Sequence, residues 1–189
     1  DYYASRGLGD VYKRQVQDER QLAFYEHNGF KMDYTEDLVR LNDPDEVPQL
    51  FNCSCITLPL NTVQEQMDLV SRMRGAGFSY FDHGFLLQQM NRQNFAALGI
   101  LYGSNLVGAC VAAGQYTSAE VMGLYIVPEF QRKGLGTRLL QQTKQALAST
   151  GATDLTMRVM SDSEPQVRLV QRFRAELVEH TSVFPSMQI

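Results

Sequence analysis

The chain has 189 residues, 44% of them hydrophobic, with a formal net charge of −4; this suits one full domain with an appendage, or two small ones. The acidic balance argues against nucleic acid as a partner, and no apolar run approaches the roughly 20 residues of a membrane span. Three cysteines without paired metal-type spacing argue against a metal site and for reduced thiols in a cytoplasmic setting, and the basic start followed by an apolar stretch that marks a secretory signal is not recognisable.

In chain order, residues 1–15 have neither helical nor strand periodicity. They read as a non-native, adapter-like tail and are set aside from the fold. Residues 16–41 predict a short helix around Leu22 to Glu26, a left-handed cap at Asn28-Gly29, and a strand with Phe30, Met32 and Tyr34 on one face. Asn42-Asp-Pro-Asp-Glu-Val-Pro48 is charged, has two prolines and lacks periodicity. A linker over 42–52 follows from it.

From residue 53 the pattern is denser. Cys53 to Leu58 reads as a strand. Thr62 with Glu65 forms a capping box for a helix that Gly75 and Gly77 end. A second helix is expected over Phe85 to Arg92. Ala97 to Tyr102 and Leu106 to Ala113 are strands joined by a turn at Gly103-Ser-Asn105, with Cys110 as a small core residue. Ala119 to Val127 is the next strand. A helix over Gly134 to Thr150 turns Leu135, Leu139, Leu140, Thr143 and Leu147 inward. Leu155 to Met160, Glu164 to Phe173 and Leu177 to Phe184 follow as strand, helix and strand. The fold class is therefore α/β (α+β), a mixed central sheet flanked by helices.

The chemistry concentrates in Leu124-Tyr-Ile-Val-Pro-Glu-Phe-Gln-Arg-Lys-Gly-Leu-Gly-Thr137. A buried strand runs into a sharp loop, Gln131-Arg-Lys-Gly-Leu-Gly136, and then into a helix. Glycines let backbone N–H groups approach an anion closely, and the helix aims its unpaired N–H groups and dipole at the same point. That makes a pyrophosphate seat. The Gly-Lys-(Ser/Thr) ending of a nucleotide-triphosphate loop is absent, as is the third glycine of a dinucleotide fingerprint.

This segment resembles the cofactor motif of the GNAT superfamily of N-acetyltransferases, and the element order from residue 53 to 189 is the order that fold uses. The resemblance implies acetyl-CoA as cosubstrate, no metal, and an amine acceptor, either a small molecule or a peptide. It implies a pyrophosphate held by Gln131, Arg132, Lys133, Gly134, Leu135, Gly136 and Thr137, and a pantetheine arm paired with backbone groups of Ile126 and Val127. Glu120, fourteen positions before Gly134, falls where the protein-acetylating branch carries its general base. Leu22-Ala-Phe-Tyr-Glu-His-Asn-Gly-Phe30 resembles the family's closing helix–strand motif, so 16–41 is expected to be the remnant of a preceding domain of the same kind. The chain's own closing motif departs from the pattern: Val170 stands at the tyrosine that protonates the leaving thiolate, Arg174 at the glycine and Ala175 at the phenylalanine. Either the thiolate leaves without a tyrosine, or water or another side chain such as Tyr125 helps, or the domain is a non-catalytic acyl-CoA-binding or regulatory part of a tandem protein, the alternative to an active acetyltransferase. Neither His83 nor His180 receives a role.

Overall fold

The computed structural model describes residues 13–16, 19–28 and 34–185. Gly29, Phe30 and Met32, expected at a helix cap and on a strand face, lie outside the described residues. The chain divides into two compact units. One holds the described residues up to Val39, Arg158–Arg168 and the residues from Leu177 on; the other holds Arg40–Met157 and Leu169–Glu176.

In the first unit, β1 (Lys13–Val16) runs antiparallel to β8 (Glu176–Pro185), with Lys13 opposite Pro185 and Val16 opposite Ser182. The sequence shows no strand signal at 13–15. Ladder pairing uses backbone groups that every non-proline residue carries, so a partner strand can recruit a segment with no alternation of its own. Helix α1 (Glu19–His27) is closed by Asn28, whose side-chain amide and backbone N–H both donate to Phe24 O at 2.7 and 3.1 Å. On β2 (Tyr34–Arg40), Thr35 O accepts from the Ser161 N–H, and Asp37 accepts from the Ser161 hydroxyl and contacts His180 Nδ1.

The second unit contains β3 (Cys53–Thr57), α2 (Val63–Gly75), α3 (His83–Met90), β4 (Asn94–Tyr102), β5 (Asn105–Gln115), β6 (Ser118–Ile126), a short 3₁₀ turn (Pro128–Phe130), α4 (Leu135–Ala148), the start of β7 (Asp154–Met160) and the end of α5 (Glu164–Arg172). Strands β3 to β6 form an antiparallel meander, and β7 lies parallel to β6 on its other side. The right-handed crossover expected of parallel neighbours is made by α4. The chain from β3 to β8 thus follows the predicted element order.

Local sequence explains the boundaries. Thr62 Oγ1 accepts from the Glu65 N–H and the Glu65 carboxylate accepts from the Thr62 N–H, the full capping box of α2. Gly77 and Gly103 sit at φ of 102° and 60°, where a side chain would be strained, and each reverses the chain. Asp82 caps α3 through the Phe85 N–H at 2.7 Å, which starts that helix two residues before the predicted Phe85.

The sheet of this unit has two covered faces. Helix α4 buries Leu135, Leu139, Leu140, Thr143 and Leu147, the five residues predicted to turn inward. Cys110 faces it, fully buried beside Thr143, and burial pushes its thiol up to about 12. On the opposite face, Leu69, Val70 and Met73 of α2 pack with Phe81 and Leu86 against Ala97, Ala109, Val111 and Tyr125.

Residues 41–48 cross the unit as a strap. The Leu41 N–H donates to Leu155 O at 2.8 Å, Asn42 N–H to Phe173 O at 3.0 Å, and Asp45 N–H to Arg172 O at 3.3 Å. Asp43 meets Lys144 at 2.7 Å and Asp45 pairs with Arg174. Lys144 holds the Asp43 carboxyl below its ordinary value, by hydrogen bond first and by charge second. A depressed carboxylate pKa adds stability above the ordinary range and loses it as pH falls through the folded value. Amide exchange over 42–47 should therefore quicken as pH drops below the ordinary aspartate value, after correction for the intrinsic pH dependence of exchange. Lys144→Met should quicken it at neutral pH; unchanged protection there would mean that the backbone bonds alone hold the strap.

Candidate functional site

Strand β6 pairs with β7 only from Ser118↔Asp154 to Val121↔Met157. At the next residue its register with β5 shifts: Val111 faces Gly123, Ala112 faces Val121, and Met122 is the extra residue of a bulge. The bulge lies four residues before Ile126, the first of the two positions the family resemblance singled out.

Past the bulge the ladder fixes which backbone groups point outward. The Val127 N–H donates to Val107 O at 2.9 Å, which makes 107↔127 a hydrogen-bonded pair. By alternation Ile126 and Leu124 turn their N–H and C=O groups away from β5, toward the side where the parallel register has ended. Val127 has both groups engaged, since its C=O also accepts from the Phe130 N–H at 2.9 Å. The outward pair is therefore Leu124 and Ile126, and Val127 does not belong to it. The Ile126 C=O accepts from the Gln131 side-chain amide at 2.8 Å, so Gln131 braces the strand end and spends its donor there.

The loop that follows builds the anion seat. Arg132 at φ 61° and Gly134 at φ 84° both take left-handed backbone, the alternation that turns successive N–H groups inward to a concavity. Gly134 is the N-cap of α4 and supplies no side-chain cap. The first intrahelical bond of that end runs from Arg138 N–H to Gly134 O at 3.1 Å. The N–H groups of Leu135, Gly136 and Thr137 thus belong to the orphan donors of a helix start, at the positive end of its dipole. Lys133 folds back, its Nζ donating to Glu129 O at 2.9 Å and lying 5.0 Å from the centroid of the Phe130 ring. Its charge stays at the loop on a fixed stem. Arg132 is exposed.

The strap completes this loop. A Cβ on Gly134 would stand 2.7 Å from Pro48 Cγ and 2.9 Å from Pro48 Cβ. Gly136 is different, since a Cβ there would meet Leu169 Cδ1 at 3.7 Å and Ile126 Cγ1 at 3.9 Å, ordinary contacts. The glycine at 134 is thus required by the fold itself, through φ and through Pro48, before any ligand is considered.

Glu120 lies half-buried on β6 opposite Ala113. Residues directly opposite share a face, and Ala113 follows Ala109 and Val111 by twos, so Glu120 faces α2 and α3. Met122, Gly123 and Tyr125 present to the same side: Met122, like Phe78 and Phe85, packs against the buried cluster there, and Gly123 approaches Met73 and Phe78. The Tyr80 hydroxyl donates to Met122 O at 2.6 Å and pins the α2–α3 connection onto the bulge. Tyr80 also stands edge-on to Phe78 and Phe85. Phe78, Tyr80 and Phe85 are therefore on the face that carries Glu120. The Tyr125 hydroxyl is buried and finds no acceptor for its proton. Burial raises its phenol pKa, partly offset by the Arg72 guanidinium beside it.

At the closing motif Val170 is a buried aliphatic residue. Arg174 adopts φ 45°, left-handed backbone at the position where the family motif has glycine. His83 Nε2 lies 2.7 Å from Gln66 Oε1, whose amide donates to Leu60 O at 2.9 Å. His180 belongs to the first unit with Asp37. Among the described residues no group of three or more His, Cys, Asp or Glu side chains is placed to hold a metal ion, and no helix is long and apolar enough to cross a membrane. Sequence reading missed Pro48, Tyr80 and the outward role of Leu124. Pro48 and Tyr80 act through contacts 86 and 42 residues away, for which a single sequence carries no local signal.

The sequence pattern of the Acetyltransferase (GNAT) family matches residues 64–174, more than half of the chain, and the chain belongs to that family. Its fold is that of solved GNAT proteins. A GCN5-related N-acetyltransferase from Sphaerobacter thermophilus is 12% identical with a TM-score of 0.73, over 94% of this chain and 61% of that one. A GCN5-related N-acetyltransferase from Kribbella flavida is 16% identical at 0.68, over 95% and 69%. A tandem GNAT protein from the clavulanic acid biosynthesis pathway is 18% identical at 0.63, over 89% and 58%. The chain thus spans about three fifths of the length of the first and third of these structures. No curated protein matches the chain significantly.

Gly134→Ala should destabilise the fold, since a left-handed non-glycine residue costs about 1–2 kcal/mol and the methyl meets Pro48. Gly136→Ala should leave the melting temperature at or above wild type. Equal melting temperatures for the two variants would show that Pro48 does not constrain the loop.

Proposed function

We propose that the chain is an acetyl-CoA-dependent N-acetyltransferase acting on the amine of a small molecule or peptide. The observation that carries this is the uncapped N-terminus of α4, set behind left-handed Gly134 at the end of a strand whose Leu124 and Ile126 groups face outward. An orphaned helix start favours a bound anion. An outward strand edge favours an extended amide-bearing arm. A pyrophosphate followed by pantetheine has both parts in that order.

Each residue then has a defined task. The N–H groups of Gly134 to Thr137 hold the pyrophosphate, with Arg132 and Lys133 adding positive potential. Leu124 and Ile126 pair with the pantetheine amides, which brings the thioester beside the bulge at Met122. An outward N–H there can polarise the thioester carbonyl. Glu120 collects the proton that the ammonium must lose before its nitrogen attacks. The C–N bond forms, the C–S bond breaks, and the thiolate leaves. The thiol of Cys110 takes no part, since it lies on the α4 face beside Thr143, opposite to Glu120, and burial holds it protonated. Reduced thiols fit a cytoplasmic setting.

A second reading rests on Val170. A valine cannot protonate the thiolate, so the domain would bind acyl-CoA without turnover, as a regulatory half of a tandem protein in which residues 16–41 close a preceding domain. Calorimetry with coenzyme A and thiol release against a panel of amines separate the two. Binding with turnover supports acetyl transfer, binding alone supports the regulatory reading, and no binding removes both. With an acetylated amine in hand, Glu120→Gln should lower kcat by about 10²-fold, with little change in coenzyme A affinity. An unaltered kcat would make Glu120 a structural residue.

A further inference from the structure

The acetyl-transfer reading leaves one proton unassigned. When the C–S bond breaks, the sulfur carries the electron pair away as a thiolate, and Val170 has nothing to give it. Two phenols stand at the relevant stretch of β6. Tyr80 has its proton committed to Met122 O at 2.6 Å. Tyr125 does not: its hydroxyl is buried with no acceptor for its proton, since the Arg72 guanidinium beside it can only donate. A buried O–H without an acceptor calls for an explanation.

The position of Tyr125 supplies one. It lies between Leu124 and Ile126, the two residues whose backbone groups face outward, and three residues past the bulge at Met122. Its ring stands on the α2/α3 face, the face of Glu120, as its packing with Leu69 and Met73 shows. The exposed Arg72 guanidinium is beside its hydroxyl and favours the phenolate once a proton has left. We propose that Tyr125 is the proton donor to the leaving thiolate, in place of the tyrosine absent at Val170. In the forward step the Tyr125 O–H bond breaks as the S–H bond of coenzyme A forms. The phenolate beside Arg72 then takes back the proton that the attacking ammonium released to Glu120, through solvent, so no further reactant is needed.

The inference rests on the acetyl-transfer reading, and its test does not need the acceptor to be known. Coenzyme A itself is the probe: a hydrogen bond from Tyr125 stabilises the bound thiolate and lowers the thiol pKa, which ultraviolet absorbance of the thiolate reports. Tyr125→Phe keeps the ring and removes only the hydroxyl, so the fold is expected to hold. On the full chain, this variant should bind coenzyme A at acidic pH as the wild type does, yet raise the bound thiol pKa by roughly one unit or more. With any amine the protein acetylates, kcat should fall about 10²-fold while the KM for acetyl-CoA stays put. Tyr116→Phe, at an exposed phenol in the turn between β5 and β6, should leave the thiol pKa at the wild-type value. An unchanged thiol pKa in Tyr125→Phe, or an equal shift in Tyr116→Phe, overturns the assignment and leaves acetyl transfer standing. Failure of the wild-type chain to bind coenzyme A overturns the acetyl-transfer reading and this assignment with it.

Discussion

The candidate site depends on the way β6 loses one of its two partners. Over Ser118 to Val121 the strand is paired on both sides, and from Met122 on it is paired with β5 alone. Each backbone N–H and C=O needs a partner when buried, so a strand that gives up a neighbour exposes a row of donors and acceptors that something else must satisfy. The bulge at Met122 is the device that makes the change. One extra residue shifts the parity of the strand, increases its twist and lets it diverge from β7. The same shift puts Met122 and Gly123 on the face of α2 and α3, where Tyr80 grips the bulge carbonyl. A single irregularity thus sets the outward direction of Leu124 and Ile126 and the side on which an amine would approach.

The loop beyond β6 is stabilised from outside its own sequence. Arg132 and Gly134 hold left-handed backbone, which local sequence supports poorly at an arginine. The strap compensates by laying Pro48 against Gly134, while Asp43 and Asp45 tie it to α4 and to the turn after α5. Both ion pairs are largely exposed and contribute little individually. The backbone bonds from Leu41, Asn42 and Asp45 bind the segment more firmly, because they are directional and lie against buried residues such as Phe173. The charged, proline-rich composition of 42–48 reads as a linker, but these contacts make its first half part of the second unit.

What could be read from the sequence was what local chemistry determines. The capping box at Thr62 and Glu65, the turn at Gly103, the inward stripe of α4 and the helix start after Gly134 each depend on residues within a few positions of one another. The strand at Lys13–Val16 could not be read, because only its partner β8 makes it a strand. Nor could the bulge at Met122, since a register shift is a property of two strands and leaves no mark on either alone. The outward pair, Leu124 and Ile126, differs from the expected Ile126 and Val127 for the same reason: the N–H of Val127 is taken by Val107, on a strand twenty residues earlier. Glu120 could be placed in sequence by its distance from Gly134, but its face follows from its pairing with Ala113.

The closing motif separates what the fold needs from what the chemistry needs. A helix such as α5 is commonly ended by a residue in left-handed conformation, usually glycine. Arg174 takes that conformation at φ 45° and accepts the strain. Its pairing with Asp45 on the strap, and its N–H bond to Gln171 O at 3.1 Å, hold the turn in place. The shape of the motif therefore survives the loss of its glycine. Its tyrosine is a different matter, since the buried Val170 fills the space without offering a proton. A chain that keeps the geometry of the motif and lacks its acid is consistent with two histories of constraint. Either no proton is needed because no transfer occurs, or the proton comes from another residue. The Tyr125 hydroxyl, buried with no acceptor for its proton, is the candidate for the second. A domain that only bound acyl-CoA would have no need of that O–H, which phenylalanine omits while filling the same space.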